Sequence, residues 1–217
     1  MTGLLAIFAV LARAAADGES FAWDQVLFRR IYSGASEWPR GTTSGRDNAL
    51  LDALLPLLYR GADARALGAV AVAVVVALVV LRRYGAIAFY VAVIAVAALS
   101  APLKDAFDRP APFPISGHPS FPSGHAMASM CIAAGAVALF AHARLVWLVV
   151  ALAFALVCGV GIAVIADGGH WPSDVLAGWC LSLAWLLILV GLLGERLGAT
   201  TRRVSVPHPG PEGYMRS

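Results

Sequence analysis

Lys104, His125, His170 and Asp174 are the residues whose types and spacing could carry a reaction. His170 and Asp174 stand at positions i and i+4 of His-Trp-Pro-Ser-Asp-Val, where Pro172 suits the first turn of a helix. On such a turn the carboxylate can sit beside one imidazole nitrogen, fix the tautomer and leave the other nitrogen free to attack phosphorus. Pro122-Ser123-Gly124-His125 also reads as a helix start. Ser123 can cap it, Gly124 lets backbone approach a phosphate, and the exposed N–H groups there form an anion site. His125, with a pKa near neutrality, suits protonation of a leaving alkoxide or phosphate. Lys104, the single lysine of the chain, offers a flexible positive charge for a phosphoryl oxygen. His125, His170 and Asp174 could instead be three zinc ligands. The chain has no HExxH pattern and no cysteine near this set, so phosphate chemistry without a metal or other cofactor is the better fit.

The elements that must position these residues are apolar. Of 217 residues, 60% are hydrophobic and 13% charged, against roughly a quarter charged in a soluble domain. Uncharged spans run over Ala66–Leu81, Tyr84–Leu103, Ala126–Ala141, Leu145–Ala166 and Val175–Gly194. A membrane-crossing helix needs about 20 such residues. Met1–Leu11 adds a further apolar stretch, expected to be a short transmembrane or interfacial helix, with a cleaved signal as the alternative. The expectation is an all-α integral membrane bundle of about six helices, forming one domain over residues 1–198. Residues 199–217, with Pro207, Pro209 and Pro211, are expected to be a disordered cytoplasmic tail.

Arg82-Arg83, His142 to Arg144 and the basic residues after the last span fall on one membrane face if the spans alternate. The positive-inside rule makes that face cytoplasmic and puts Lys104 to Ser123 and Ala166 to Asp174 outside. Arg29, Arg30, Arg40, Arg46, Arg60 and Arg65 run against the rule on the outer face. Phe21–Tyr32 and Asn48–Tyr59 have mixed apolar and polar faces, the second reading as an interfacial helix; both are expected to cover the bundle, with a substrate gate as the alternative, and Gly34–Gly45 is a loop. Cys131, Cys158 and Cys180 fall inside spans and act as small hydrophobes. The net charge of +3 needs no nucleic-acid partner, and no obligate protein partner is implied. His118 is a lid or lining residue of the same loop, whereas His142 and His208 lie away from it.

Pro122–His125, Lys104 upstream with Arg109-Pro110, and His170–Asp174 followed by Val-Leu-Ala-Gly together resemble the type 2 phosphatidic acid phosphatase (PAP2) superfamily, in its membrane-bound lipid phosphatase branch. The resemblance is densest from Lys104 to Gly178. It implies a metal-independent lipid phosphatase or diphosphatase working through a phosphohistidine, in a six-helix bundle with its site at the outer membrane boundary. It implies His170 as nucleophile, Asp174 as its orienting partner and His125 as acid. By the same resemblance Lys104, Ser123 and Gly124 hold the phosphate of a membrane lipid. A bacterial cytoplasmic membrane, with the site facing the periplasm, is the expected location.

Two positions depart from the pattern. The first motif's arginine position holds Ala111, and the third motif's Ser-Arg positions hold Ala163 and Val164. Arg109, two residues early, is the candidate replacement on the phosphate. Charge-assisted bonds of this kind contribute about 1.5–3 kcal/mol each. Losing two that tighten in the transition state would cost roughly two to four decades in rate. The alternative function is therefore a weak or inactive relative that binds or transports a lipid phosphate.

Overall fold

A computed structural model of the chain describes residues 1–32, 57, 60–113, 118–141 and 144–202, with side chains described up to Leu193. Among the described residues all regular structure is helical. Helix α1 covers Thr2–Ala16 and α2 covers Ala22–Tyr32. Helix α3 covers Ala64–Val80 and α4 covers Tyr84–Ala95, continued by a 3₁₀ turn at Val96–Leu99 into α5, Ser100–Phe107. Helices α6, α7 and α8 cover Gly124–Phe140, Val146–Ala166 and Pro172–Arg202.

Among the described residues, three helical stretches are long and apolar enough to cross a membrane: Tyr84–Phe107, Val146–Ala166 and Pro172–Leu193. Three shorter apolar helices, Thr2–Ala16, Ala64–Val80 and Gly124–Phe140, stand with them. Val72, Val76, Leu152, Phe154 and Leu192 all point outward and are exposed. Water would penalise such a surface, whereas acyl chains match it.

Helix α6 is the axis of the bundle and packs against α4, α7 and α8. It is buried on several sides, at Ala126, Met127, Cys131, Ile132, Ala133 and Leu139, so it lacks a single apolar stripe. Small residues allow the close approach. A Cβ on Gly135 would meet the Tyr90 ring at 3.0 Å, and one on Gly161 would meet Trp179 at 2.7 Å. Polar cross-links add little to this packing. Ser182 donates to the Met127 carbonyl at 3.2 Å and Trp185 Nε1 to the Ala92 carbonyl at 2.8 Å. Such bonds average about 0.6 kcal/mol in a bundle.

Two local features set the shape near the site. Pro102 cannot donate a bond to the carbonyl of Ala98, and its ring crowds that carbonyl. The ladder accordingly tightens to 3₁₀ over Val96–Leu99 and then resumes, redirecting the turn that carries Lys104. That turn stops at Asp108, which takes the left-handed conformation (φ 45°) as its N–H donates to the Lys104 carbonyl at 2.9 Å. Helix α1 docks on α8 through Leu11, Ala12 and Ala15 against Ala177 and Phe121.

Helix α8 runs through Arg202, past the expected boundary at 198, because Gly198 alone does not end a helix and no proline follows before Pro207. Helix α2 forms as expected, but it does more than cover the bundle, since it drives Asp24 into the polar interior. The expected helix over Asn48–Tyr59, the Gly34–Gly45 loop, His142 and His208 lie outside the described residues, Leu57 aside.

Candidate active site

Asp174 is fully buried at the third position of α8. One oxygen, Oδ2, reaches back to accept the Trp171 backbone N–H at 2.8 Å, which ties off an orphan donor of the helix start. The other, Oδ1, accepts from Arg109 Nη1 at 2.5 Å. The guanidinium continues from there. Nη1 also donates to Ser173 Oγ at 2.8 Å, and Nη2 to the Glu19 carbonyl at 2.9 Å and to Asp24 Oδ2 at 3.3 Å. Asp24, fully buried on α2, accepts the Ser173 N–H at 2.7 Å and its hydroxyl at 2.5 Å. With all three groups ionised, two carboxylates share one guanidinium, and one negative charge is left over behind His170.

His170 is buried, with Nδ1 2.8 Å from the carbonyl oxygen of Ser120. A carbonyl can only accept, so Nδ1 carries a proton, and in the neutral ring Nε2 keeps its lone pair. Asp174 Oδ2 lies 3.8 Å from the same Nδ1, an ionic rather than a hydrogen-bonding distance. The tautomer is therefore held chiefly by Ser120, and the carboxylate acts on the ring through its charge. Ser120 is itself pinned, its N–H donating to the Arg109 carbonyl at 2.8 Å. Trp171 closes the assembly, with its ring 5.8 Å from the Arg109 guanidinium carbon and its Nε1 donating to the Pro110 carbonyl at 3.2 Å.

The rings open on a cavity of about 840 Å³, within the range of small-ligand sites. Lys104, His118, His125 and His170 line it, joined by Arg60 from the helical turn before α3 and Arg65 from the first turn of α3. Asp63, Asp105 and Asp167 also reach it, and Ala163 and Val164 form an apolar wall. A second hollow of about 530 Å³ is lined mainly by Phe28, Tyr32, Phe113 and Trp171. Its rings stack closely, with Tyr32 and Phe113 centroids 4.5 Å apart.

The structure therefore brings Lys104, His125 and His170 to one cavity, with Asp174 behind His170 and His118 on the lining. Three other residues stand elsewhere. Ser123 caps α6 as expected, accepting the Ala126 N–H at 3.4 Å, but is fully buried and absent from the cavity wall. Gly124 is needed for packing, because a Cβ there would lie 2.9 Å from Ser100 Oγ. Arg109 does not line the cavity at all, since two carboxylates hold its guanidinium in the interior. A grip on phosphate is the expectation; here the guanidinium is held by Asp174 and Asp24. Asp24, Ser120 and Ser173 carry no sequence signature of a site. Asp24 sits among ordinary surface-type residues of α2, and Ser120 acts through its carbonyl, which every residue has.

Apolar helices whose ends deliver two histidines and a lysine to one polar cavity define an integral membrane protein with a site suited to phosphoryl transfer. Residues 84–197, more than half of the chain, match the PAP2 superfamily, and the chain belongs to that superfamily of phosphatases. The crystal structure of a transmembrane PAP2-type phosphatidylglycerolphosphate phosphatase from Bacillus subtilis is similar, with a TM-score of 0.70 at 20% identity. The match covers 89% of this chain and 96% of that one, and at that identity it speaks for the fold alone. No curated protein matches the chain.

Proposed function

We propose that the protein hydrolyses a lipid phosphate monoester or diphosphate through a phosphohistidine formed on His170. The observation that carries this reading is the Nδ1 hydrogen bond to Ser120, which in the neutral ring leaves Nε2 bare on a histidine that shares its cavity with His125 and Lys104. Nε2 attacks phosphorus, and the bond from phosphorus to the leaving oxygen breaks as His125 gives that oxygen a proton. The imidazolium so formed keeps its Nδ1 proton, and the surplus negative charge of Asp174 and Asp24 stabilises it. Water then attacks phosphorus, His125 takes its proton, and the P–N bond breaks to release inorganic phosphate and restore His170. Lys104 neutralises charge on the phosphoryl oxygens throughout.

A lipid substrate is favoured because the site sits at helix ends, where a substrate can enter sideways from the bilayer. The bacterial cytoplasmic membrane, with the cavity on the outer side, agrees with Arg82-Arg83 and Arg144 at the opposite ends of the spans. One observation favours a second reading, in which the protein binds or carries a lipid phosphate without turnover. Ala111 and Val164 occupy the motif arginine positions, and Arg109 is withdrawn.

Phosphate release by purified protein, with chelator present, decides between the two. The panel includes phosphatidate, phosphatidylglycerolphosphate and a polyprenyl diphosphate. Turnover that His170→Ala eliminates supports the enzyme. Folded protein without His170-dependent turnover on any of them sinks that reading and promotes the second.

A further inference from the structure

We infer that Arg60, in the helical turn before α3, and Arg65, in the first turn of α3, are the guanidinium groups that grip the substrate's phosphate, in place of the arginines that positions 111 and 164 lack. This rests on the phosphatase reading for its consequence in catalysis, though not for its consequence in binding.

Both residues line the cavity that holds Lys104, His125 and His170. They enter from a segment that carries none of the histidines, and no motif points to them. Among the described residues neither guanidinium has an ion-pair partner. The backbone N–H of Arg65 donates to the Asp63 carboxylate at 2.7 Å, which caps α3 and leaves the Arg65 side chain uncommitted. Arg109, the other arginine nearby, is consumed by Asp174 and Asp24.

Charge points the same way. Asp63, Asp105 and Asp167 bring three carboxylates to the cavity. Lys104 alone against them would leave a net charge of −2, with the histidines neutral, and a phosphate dianion would be repelled. Arg60 and Arg65 raise the count to three cations against three carboxylates. They also sit at the end of α3 remote from Arg82-Arg83, where membrane topology gives no reason for arginine on the same side as the site. Anion recognition supplies that reason, since a guanidinium fork matches two phosphoryl oxygens and an ammonium does not.

The test uses full-length protein in nanodiscs, as Arg60→Gln, Arg65→Gln, the double variant, and Arg60→Lys with Arg65→Lys. Arg82→Gln, at the far end of α3, is the control. The double glutamine variant is expected to lose catalytic efficiency (kcat/KM) by a factor of about 100 or more. Inhibition by orthovanadate should weaken at least tenfold, the lysine pair should recover part of both, and the melting temperature should stay unchanged. The proposal is overturned if the double variant keeps its catalytic efficiency and its vanadate inhibition within threefold of wild type. It is equally overturned if Arg82→Gln produces the same loss.

A wild type without His170-dependent turnover would sink the phosphatase reading and leave this one to a binding measurement. Phosphatidate binding that weakens tenfold in the glutamine double variant, and less in the lysine pair, then supports the arginines. Equal binding by wild type and variants overturns them.

Discussion

The nucleophile proposed at His170 needs one nitrogen bare, and in the neutral ring Ser120 leaves it so by holding the proton on the other through a 2.8 Å bond. His170→Ala is accordingly expected to abolish turnover, with a fall of four decades or more in a single-turnover assay. The role proposed for His125 is on the leaving-group side. His125→Ala should cost about 10²- to 10⁴-fold on an alkyl phosphate. The loss should be far smaller on a nitrophenyl phosphate, whose leaving oxygen needs no proton, and an equal loss on both would refute the role. Asp24 acts one step further back. Asp24→Asn keeps the size of the side chain but removes the charge that Arg109 and Ser173 bind. Breaking one side of a buried pair of this kind costs about 3–5 kcal/mol. A lowered melting temperature and a reduced kcat are expected, with KM for the lipid nearly unchanged because Asp24 does not line the cavity.

Among the helices, the distance between the two histidines is set by how closely α8 lies on the start of α6. Gly178 permits that approach, since a Cβ there would come within 2.9 Å of the Ser123 carbonyl oxygen. Ser123 in turn donates its N–H to the Asp174 carbonyl at 3.1 Å, which latches the two helix starts together. Gly178→Ala therefore has to push backbone from backbone. More than a tenfold loss of activity and a clear drop in melting temperature should follow. Gly124→Ala offers the contrast. Its nearest obstacle, Ser100 Oγ at 2.9 Å, is a side chain that can rotate away, so a smaller loss is expected, and Ser100→Ala should restore part of it. Comparable damage from both alanines would show that the backbone contact has no special weight.

For the whole molecule, the arrangement that serves chemistry also sets its relation to the membrane. The cavity, with Asp167 and His118 at its edge, lies at one end of the bundle, and Arg82 and Arg144 lie at the other. Single cysteines introduced at Asp167 and at Arg144, in a background lacking Cys131, Cys158 and Cys180, should label differently in intact cells. A membrane-impermeant thiol reagent is expected to reach position 167 and to reach 144 only after permeabilisation. The reverse pattern would place the site on the cytoplasmic side.

That the chain is a helical membrane protein follows from its residues in order, because burial in hydrocarbon writes long uncharged runs that no soluble fold requires. The proposed reacting set stands out in the same way, since Lys104, His125, His170 and Asp174 are rare polar residues at helix ends, and the fold brings the first three to one cavity with Asp174 behind His170. The part played by Arg109 does not. Its position in the loop after Lys104 suggests a phosphate ligand, and only the arrival of α2 and α8 on either side makes it the centre of a buried ion network. Asp24, Arg60 and Arg65 likewise enter through folding alone, from α2, the turn before α3 and the first turn of α3. Short-range spacing cannot report such residues, because contacts between remote helices depend on which small side chains let the helices meet. The same limit applies to Ser120, whose part is played by a carbonyl that carries no signature of its own.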